Sequence, residues 1–251
     1  MNLTKELFHG LNEGGQAEES TLLFQQRSIN QTLVPFAYQQ NGLPSCCLYE
    51  DPLKFAANKE QFLLLDMKFG QNVNYFLDYL HDIREFLRFS ASVRLQGERA
   101  FKQLKMDVAS AMCVHVRRGD FLELNLAVNK TDIVRVTTKI ANEQRLHQYL
   151  IFGDDAPFMK EIAKSLMRSG TMDGSPYVAR ASESTEGTDL YVSSRACAAF
   201  LISSPISTFG WWLAFFTINQ QAVYYMNDRR PMREKVVNKE LFLPPWREYV
   251  E

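Results

Sequence analysis

Side chains that could bind a phosphate group cluster at one point of the chain, directly after an apolar run. The alternating apolar residues around His115 predict a β-strand over residues 112–116. Arg117 and Arg118 follow at once. Two adjacent arginines cannot be buried without partners, so we expect them at the end of this strand, facing a cleft or solvent. Gly119 lacks a Cβ atom and predicts a sharp turn at positive φ.

These donors suit a phosphate ligand because arginine donates two parallel hydrogen bonds to phosphate and stays charged at every relevant pH. Open α/β folds bind ligands at the carboxyl edge of the sheet, where His115, Arg117 and Arg118 are expected. The group therefore predicts a site for a diphosphate or another dianion. Two other interpretations stay open: a solvated strand end, and an integrin-binding loop formed by the tripeptide Arg118-Gly119-Asp120.

Two later segments also place polar groups where a strand ends and a helix begins. Asp154 and Asp155 follow an apolar strand and precede a helix, so they either cap that helix or form a wall of a nucleotide cleft. Ser207, Thr208 and Phe209 open a second helix, in which two tryptophans follow. Hydroxyl groups and backbone amides at a helix amino terminus suit phosphate oxygens, so this segment predicts phosphate contacts.

Together the three segments resemble the three motifs of the α-1,2-fucosyltransferases, in the same order and over roughly residues 62–226. The first, His-Val-Arg-Arg-Gly-Asp, also recurs loosely in the α-1,6- and protein O-fucosyltransferases. The resemblance implies GDP-fucose as the donor substrate, with neither a cofactor nor a metal ion, and it places Arg117 on the donor's β-phosphate. The residues that it implies for nucleotide binding are His115, Arg117, Arg118, Asp154, Asp155, Ser207, Thr208 and Phe209.

The resemblance further implies inverting transfer of L-fucose to the 2-hydroxyl group of a terminal galactose on a glycan. Arg117 and Arg118 would stabilise the negative charge that grows on the departing GDP. Asp120 or Glu123 would take the proton of the acceptor hydroxyl, although Asp120 can equally serve to orient Arg118. Two alternative functions are a GDP-sugar-binding pseudoenzyme without transfer activity and an adhesion module that uses Arg118-Gly119-Asp120.

Apolar periodicity predicts an α/β fold in which strands alternate with helices from residue 111 onward, and this pattern implies parallel βαβ units. The expected strands are 62–65, 112–116, 147–152, 176–179, 200–202 and 222–226, and the expected helices are 132–142, 157–168, 188–197 and 209–218. A stripe through Phe76, Leu80, Ile83 and Leu87 predicts one more helix, facing the core.

The domain organisation expected from the family is GT-B-like, with two Rossmann-like halves, a carboxyl-terminal nucleotide-binding half and a shortened amino-terminal half. We expect a loose terminus over residues 1–20, a partial acceptor-side domain over 21–108 and a nucleotide-sugar-binding domain over 109–251.

Composition excludes several classes of partner and site. The 251 residues include 28 basic and 29 acidic side chains, so no excess of positive charge predicts a nucleic-acid or membrane surface. No Cys-x-x-Cys pair is present and the four histidines are scattered, which makes a zinc site improbable. Cys46 and Cys47 are adjacent and are not expected to bond each other, while Cys113 and Cys197 are expected to be buried thiols.

Signals for localisation are mixed. Residues 1–20 contain no apolar run, so we expect neither a signal peptide nor an anchor. If the chain is complete, we expect it to remain in the cytosol. Residues 196–227 carry no charge, but the polar break in their middle favours strand, turn and buried helix over a membrane span. The family implies the Golgi lumen or membrane, and Asn-x-Ser/Thr sequons at Asn2, Asn30 and Asn129 suit a lumenal glycoprotein.

Overall fold

The computed structural model describes residues 31–38, 46–60, 62–67, 70–167, 171–232, 235 and 237–250. The chain forms two compact units: Met1–Ser90 with Arg233–Leu243, and Ala91–Met232 with Pro244–Glu251. The first unit ends at Ser90, before the boundary expected at residue 108. It also includes the carboxyl-terminal stretch Arg233–Leu243. The roles expected for the domains stay predictions, and the expected loose terminus lies outside the described residues.

The strands are β1 (Gln31–Pro35), β2 (Phe62–Asp66), β3 (Ala111–Val116), β4 (Gln148–Gly153), β5 (Thr171–Met172), β6 (Ser175–Pro176), β7 (Val178–Ala181), β8 (Cys197–Ile202), β9 (Val223–Met226) and β10 (Arg247–Tyr249). The α-helices are α1 (Leu80–Phe86), α2 (Ala91–Leu104), α3 (Gly119–Glu123), α4 (Lys130–Glu143), α5 (Ala156–Leu166), α6 (Glu186–Ala196) and α7 (Thr208–Phe216). Short 3-10 helices span Pro52–Phe55, Val73–Tyr75, Leu77–Tyr79, Gln220–Ala222 and Lys239–Leu241.

A six-stranded sheet forms the centre of the second unit, in the order β10-β9-β8-β3-β4-β7. Every pairing in it is parallel. The α/β class with a parallel sheet, expected from the sequence, is thereby confirmed. The GT-B-like arrangement of two halves stays a prediction.

Helices cover both faces of this sheet, which explains why its central strands are apolar throughout. Helices α4 and α5 pack on one face, and α6 and α7 pack on the other, with α2 against α6. All six residues of β3 are buried, as expected for a parallel strand covered on both sides. Helix α5 buries one stripe, in which Met159, Ile162 and Leu166 are each at most 3% exposed.

A disulfide joins β3 to β8 in the core of the second unit. Cys113 and Cys197 are both fully buried and are bonded to each other across 84 residues of sequence. The expectation of two free thiols was therefore wrong. Parallel neighbouring strands bring the two Cα atoms to 5.5 Å, within the range that a disulfide needs, and sequence spacing does not reveal this proximity.

The first unit contains the parallel pair β1 and β2, with Leu33 opposite Leu64. The single core-facing helix predicted from residue 76 onward was wrong: two 3-10 turns precede the seven-residue α1, and none of the residues of α1 is fully buried. Phe76, with φ −142°, interrupts the helical backbone. Cys46 and Cys47 are joined to each other, contrary to expectation.

The uncharged stretch 196–227 folds as strand, turn, helix and strand, as expected from its polar break. No helix in the described ranges has the length and apolar character needed to cross a membrane.

Candidate active site

The three motif segments lie at one edge of the sheet, because they follow the carboxyl ends of neighbouring parallel strands. Strand β3 leads to the arginine pair, β4 leads to the aspartate pair, and β8 leads to the start of α7. Their order in space is β8-β3-β4, so the arginine segment lies between the other two. Adjacent strands are about 4.8 Å apart, which brings the three segments into one site.

The carboxylate of Asp154 binds the backbone of the first motif. Its two oxygens accept hydrogen bonds from the amides of Arg118 and Gly119, at 2.8 and 3.0 Å. A Cβ atom on Gly119 would lie only 2.9 Å from Asp154 Oδ2, so glycine permits this approach. Gly119 begins α3 and is not among the glycines with positive φ, so the predicted left-handed turn was wrong. A glycine is needed here because it lets the backbone approach the Asp154 carboxylate, and not because of its φ angle.

Ion pairs hold the two arginine side chains in place. Arg117 bonds Asp120 through Nε at 2.8 Å and Asp154 through Nη1 at 3.2 Å. Arg118 pairs with Asp155 at 3.0 Å, and its guanidinium lies 4.0 Å from the centre of the Phe158 ring.

Three carboxylates therefore surround two guanidinium groups, for a formal local charge of 2 − 3 = −1. The arginine side chains are about one third and one quarter exposed, so both are accessible from the edge of the sheet. Arginine has five N–H donors, and two nitrogens of Arg117 are engaged in these pairs, so the rest of its guanidinium can bind a ligand.

Asp155 has a second role as the N-cap of α5, where its side chain accepts a hydrogen bond from the Phe158 amide at 3.0 Å. The capping interpretation of the aspartate pair therefore describes Asp155 correctly. Asp154 does not cap α5, because its partners lie on the first motif, and its place in the wall of a nucleotide cleft stays a prediction.

His115 is buried beneath the start of α7 and does not join the arginines in a donor fork. It is 1% exposed, and its ring meets Phe209 edge-on, with the centroids 5.8 Å apart. Burial and the nearby Arg117 charge lower its pKa to about 3, so the imidazole is neutral. A Cβ atom on Gly210 would lie 2.5 Å from Nδ1, so glycine lets α7 approach the ring.

The start of α7 presents hydroxyl groups and backbone amides to the same edge. Ser207 is the N-cap, and its Oγ accepts a hydrogen bond from the Gly210 amide at 3.4 Å. That hydroxyl keeps its own proton for donation. Thr208 is exposed and Phe209 is half-buried. First-turn amides point towards the amino end of a helix, where its dipole is positive.

The two candidate bases lie on the short helix α3. Asp120 is half-exposed and bonded to Arg117, whereas Glu123 is exposed. Residues three apart share a face of a helix, so both carboxylates project from the same side. The Arg118-Gly119-Asp120 tripeptide is part of this helix start, with its arginine and aspartate in ion pairs, unlike an extended adhesive loop.

Asp189 lies in the first turn of α6 and is 5% exposed, so its carboxyl is buried. It accepts a hydrogen bond from the Ser182 hydroxyl. Burial raises the pKa of its carboxyl to about 7, with Glu186 adding to the effect. All six residues from Thr188 to Ser193 are buried, so no periodic pattern in this helix distinguishes a buried aspartate from an exposed one.

A cavity of about 470 Å³ lies along β7 between α2 and α5, and its mixed apolar and polar lining includes Lys160, Lys164, Arg180 and Glu183. None of its lining residues belongs to the three motif segments, so it does not mark the candidate site. In the described ranges, no group of three or more His, Cys, Asp or Glu side chains is arranged to hold a metal ion.

Comparison with known proteins gives a family match. The model of glycosyl transferase family 11 matches residues 56–250. A galactoside 2-alpha-L-fucosyltransferase of Caenorhabditis elegans is 28% identical over 211 residues, which are 82% of this chain and 58% of that protein. A putative galactoside 2-alpha-L-fucosyltransferase of the same organism, svh-11, is 29% identical over 188 residues, 73% and 50% of the two chains. This chain therefore spans about half of each of these relatives.

Among solved structures, POFUT1 in complex with GDP gives a TM-score of 0.46 at 14% identity, covering 68% of this chain and 56% of that one. POFUT1 in complex with GDP-fucose gives 0.46 at 15% identity, covering 65% and 53%.

Proposed function

The chain belongs to glycosyl transferase family 11, which confirms the family indicated by its motifs, and from this premise we propose that it transfers L-fucose from GDP-fucose to the 2-hydroxyl group of a galactoside. The observation that carries the proposal is the meeting of the three motif segments on adjacent strands, with Arg117 and Arg118 held by aspartates. The name printed for two relatives, galactoside 2-alpha-L-fucosyltransferase, supports fucosyl transfer to the 2-hydroxyl group of a galactoside.

Stabilisation of the leaving group is the main task of the site. The bond between fucose C1 and the β-phosphate oxygen breaks, its electron pair stays with GDP, and negative charge grows on the diphosphate. Arg117 donates to the β-phosphate with the N–H groups that its ion pairs leave available. The aspartates offset the arginine charges, so further donors are needed to stabilise the diphosphate. The first-turn amides of α7 and the Ser207 hydroxyl supply them.

A carboxylate on α3 takes the proton of the acceptor. The galactose oxygen attacks C1 from the face opposite GDP, which inverts the configuration, and its proton passes to Glu123 or Asp120. Asp120 is already bonded to Arg117, and Glu123 is exposed. We therefore propose Glu123 as the base, with Asp120 orienting the arginine, and no metal ion is needed in this scheme.

An oxidising, lumenal compartment such as the Golgi accompanies this proposal. The buried Cys113–Cys197 disulfide supports it, because disulfides persist in oxidising compartments and are rare in the cytosol. Membrane attachment and glycosylation stay predictions. Asn129 caps α4 through its side chain, and Asn2 and Asn30 lie outside the described residues.

The test is transfer of radiolabelled fucose from GDP-fucose to a galactoside by the purified chain, compared with two arginine variants. Arg117→Ala is expected to lower the rate about 100-fold or more, the usual cost of removing a donor to a developing anion. Arg135→Ala is the matched control, since Arg135 also pairs with an aspartate three residues away, Asp132, at 2.8 Å. That control is expected to keep the rate within about twofold.

Equal rates in the two variants would refute the role of Arg117. GDP binding without transfer to any galactoside or to water would favour the pseudoenzyme instead. Acceptor choice is read from the same assay on a glycan array, where the proposal expects products only with terminal galactose and with the new linkage on its 2-hydroxyl.

A further inference from the structure

The helix that carries both candidate bases depends on contacts outside itself. Helix α3 has only five residues, far below the length that is stable alone in water. Its amino end is held by the Asp154 carboxylate. Beyond its carboxyl end, the amides of Leu126 and Ala127 both donate to the Phe121 carbonyl, at 2.8 and 3.1 Å. Phe121 and Leu126 are buried, so the loop after α3 returns to the core.

Arg230, which lies beyond the end of β9 at Met226, binds the loop after α3. Its Nη1 donates to the Asn125 carbonyl at 2.6 Å and its Nη2 donates to the Leu126 carbonyl at 3.0 Å. Asn125 has φ +55°, and a left-handed residue of this kind needs surrounding contacts to hold it. A single guanidinium thus bridges two consecutive carbonyls of a tightly turned loop.

Asp228 fixes the orientation of that guanidinium. Its carboxylate accepts Arg230 Nε at 2.9 Å and Nη2 at 2.6 Å, and it also accepts the Arg230 amide at 3.1 Å. Only the planar fork of arginine can serve two carbonyls and a carboxylate at once, so lysine is not equivalent here. The side chain of Asp228 is 18% exposed, which limits competition from water.

We propose that Arg230 is a positioning residue for the donor site, acting through α3 on Arg117. The connection runs from Arg230 to the carbonyls of 125 and 126, through α3 to Asp120, and from Asp120 to Arg117 Nε. Asp154 holds the amino end of α3 and Arg230 holds the loop beyond its carboxyl end. The inference rests on the proposed function, since it concerns the same diphosphate site.

The neighbouring arginine provides a matched control. Arg229 bonds Glu248 at 2.6 Å and Asn227 at 2.8 Å, both outside α3 and its loop. We would compare Arg230→Met and Arg229→Met in the purified chain, measuring GDP affinity by calorimetry, kcat and the acceptor KM for transfer, and amide hydrogen exchange over residues 122–127. Asp228→Asn is a milder third variant, because it leaves both carbonyl contacts in place.

Arg230→Met is expected to weaken GDP binding and lower kcat about tenfold each, with the acceptor KM unchanged, and to speed exchange at 122–127. Arg229→Met is expected to leave all of these within about twofold, and Asp228→Asn to shift GDP affinity in the same direction as Arg230→Met but less. If Arg230→Met fails to fold, the Asp228→Asn result decides.

Two results overturn the inference. In the first, exchange at 122–127 accelerates in Arg230→Met while GDP affinity and kcat match the control, so the contact supports only the loop. In the second, the unmodified chain binds no GDP, and the proposed function then fails together with the positioning role. The unmodified chain therefore shows which of the two has failed.

Discussion

A single carboxylate, that of Asp154, makes contacts that explain why the second motif accompanies the first. It binds two backbone amides and one guanidinium of the neighbouring segment, and so it sets the direction of Arg117. The adjacent Asp155 differs, because it caps α5 and pairs with Arg118. Chemically identical neighbours therefore have separable roles, which a matched pair of amide variants can distinguish.

Asp154→Asn should be more harmful than Asp155→Asn. An amide at position 154 would turn its NH2 group towards a backbone N–H and would weaken the pairing with Arg117. Because these contacts are exposed to water, the cost should be about 1–1.5 kcal/mol of unfolding free energy. Asparagine at position 155 still caps the helix, so its cost should stay within about 0.5 kcal/mol. Urea denaturation measures both. Equal losses would mean that the contacts to Arg118 and Gly119 contribute little.

Two buried ionisable groups, His115 and Asp189, give opposite contributions to the pH dependence of stability. The pKa of His115 is lowered to about 3, so stability is lost as pH falls below the ordinary histidine value of 6.5. The pKa of Asp189 is raised to about 7 from 3.8, so stability is gained as pH falls from 7 towards 4. Between about pH 6.5 and 4 the two effects offset each other.

Asp189→Asn should remove one side of this balance. Relative to the unmodified chain, the variant is expected to lose about 1.4 kcal/mol of unfolding free energy for each pH unit between 7 and 4, because it cannot take up the proton. Chemical denaturation at several pH values tests this. A constant difference between variant and parent across that range would show that the carboxyl titrates near its ordinary value.

Residue types and spacing predicted which positions form the site but not how they contact one another. The arginine pair lies at the end of a strand, as expected, because charge cannot be buried there without partners. The partners of Asp154 are backbone amides, which no side-chain pattern reveals. The burial of His115 depends on Gly210, 95 positions later, and this proximity exists only once β3 and α7 are packed together.

Among the elements, the strands were predictable because short apolar runs bounded by turn residues are typical of buried strands and too short for most helices. Helix α2 was not predicted, since its buried stripe is only Val93, Gly97 and Phe101. The glycine at its centre is required because a Cβ atom would lie 2.1 Å from the ring of Tyr191 on α6. A stripe whose middle residue has no side chain gives little periodic signal.

The strands that lead to the arginine pair and to α7 are also tied covalently, through Cys113 and Cys197. Replacing both cysteines with alanine should lower the unfolding free energy by about 4.6 kcal/mol, the loop-entropy expectation for a crosslink of this span. Denaturant titration of the double variant measures the loss, and the unmodified chain unfolded under reducing conditions is the control. Labelling of Cys113 and Cys197 as free thiols in the denatured, unreduced chain, located by peptide mapping, would contradict the crosslink.

For the whole molecule, the division into two units depends on contacts between residues far apart in sequence. Residues 233–243 belong with the first 90, and nothing in their composition marks that return. Helix α2 belongs to the second unit because it packs on α6, so the expected boundary at 108 fell after this helix instead of before it.

GDP should raise the unfolding free energy of the chain, and the size of the increase should depend on the β-phosphate. At a ligand concentration about 100 times Kd the gain is about 2.7 kcal/mol, or roughly 5–10 °C in Tm for a unit of this size. GMP lacks the β-phosphate that Arg117 is proposed to bind, so its shift should be much smaller at the same concentration. Equal shifts from the two nucleotides in a thermal melt would count against a diphosphate site.

Strand β7 is the outermost strand on one side of the described sheet, and Arg180, at its centre, is exposed. A charged side chain on an outer strand disfavours the addition of a strand from a second copy, because pairing would force like charges together. We therefore expect Arg180 to disfavour edge-to-edge association in concentrated samples, and this position should keep its charge in any variant prepared for crystallisation or calorimetry.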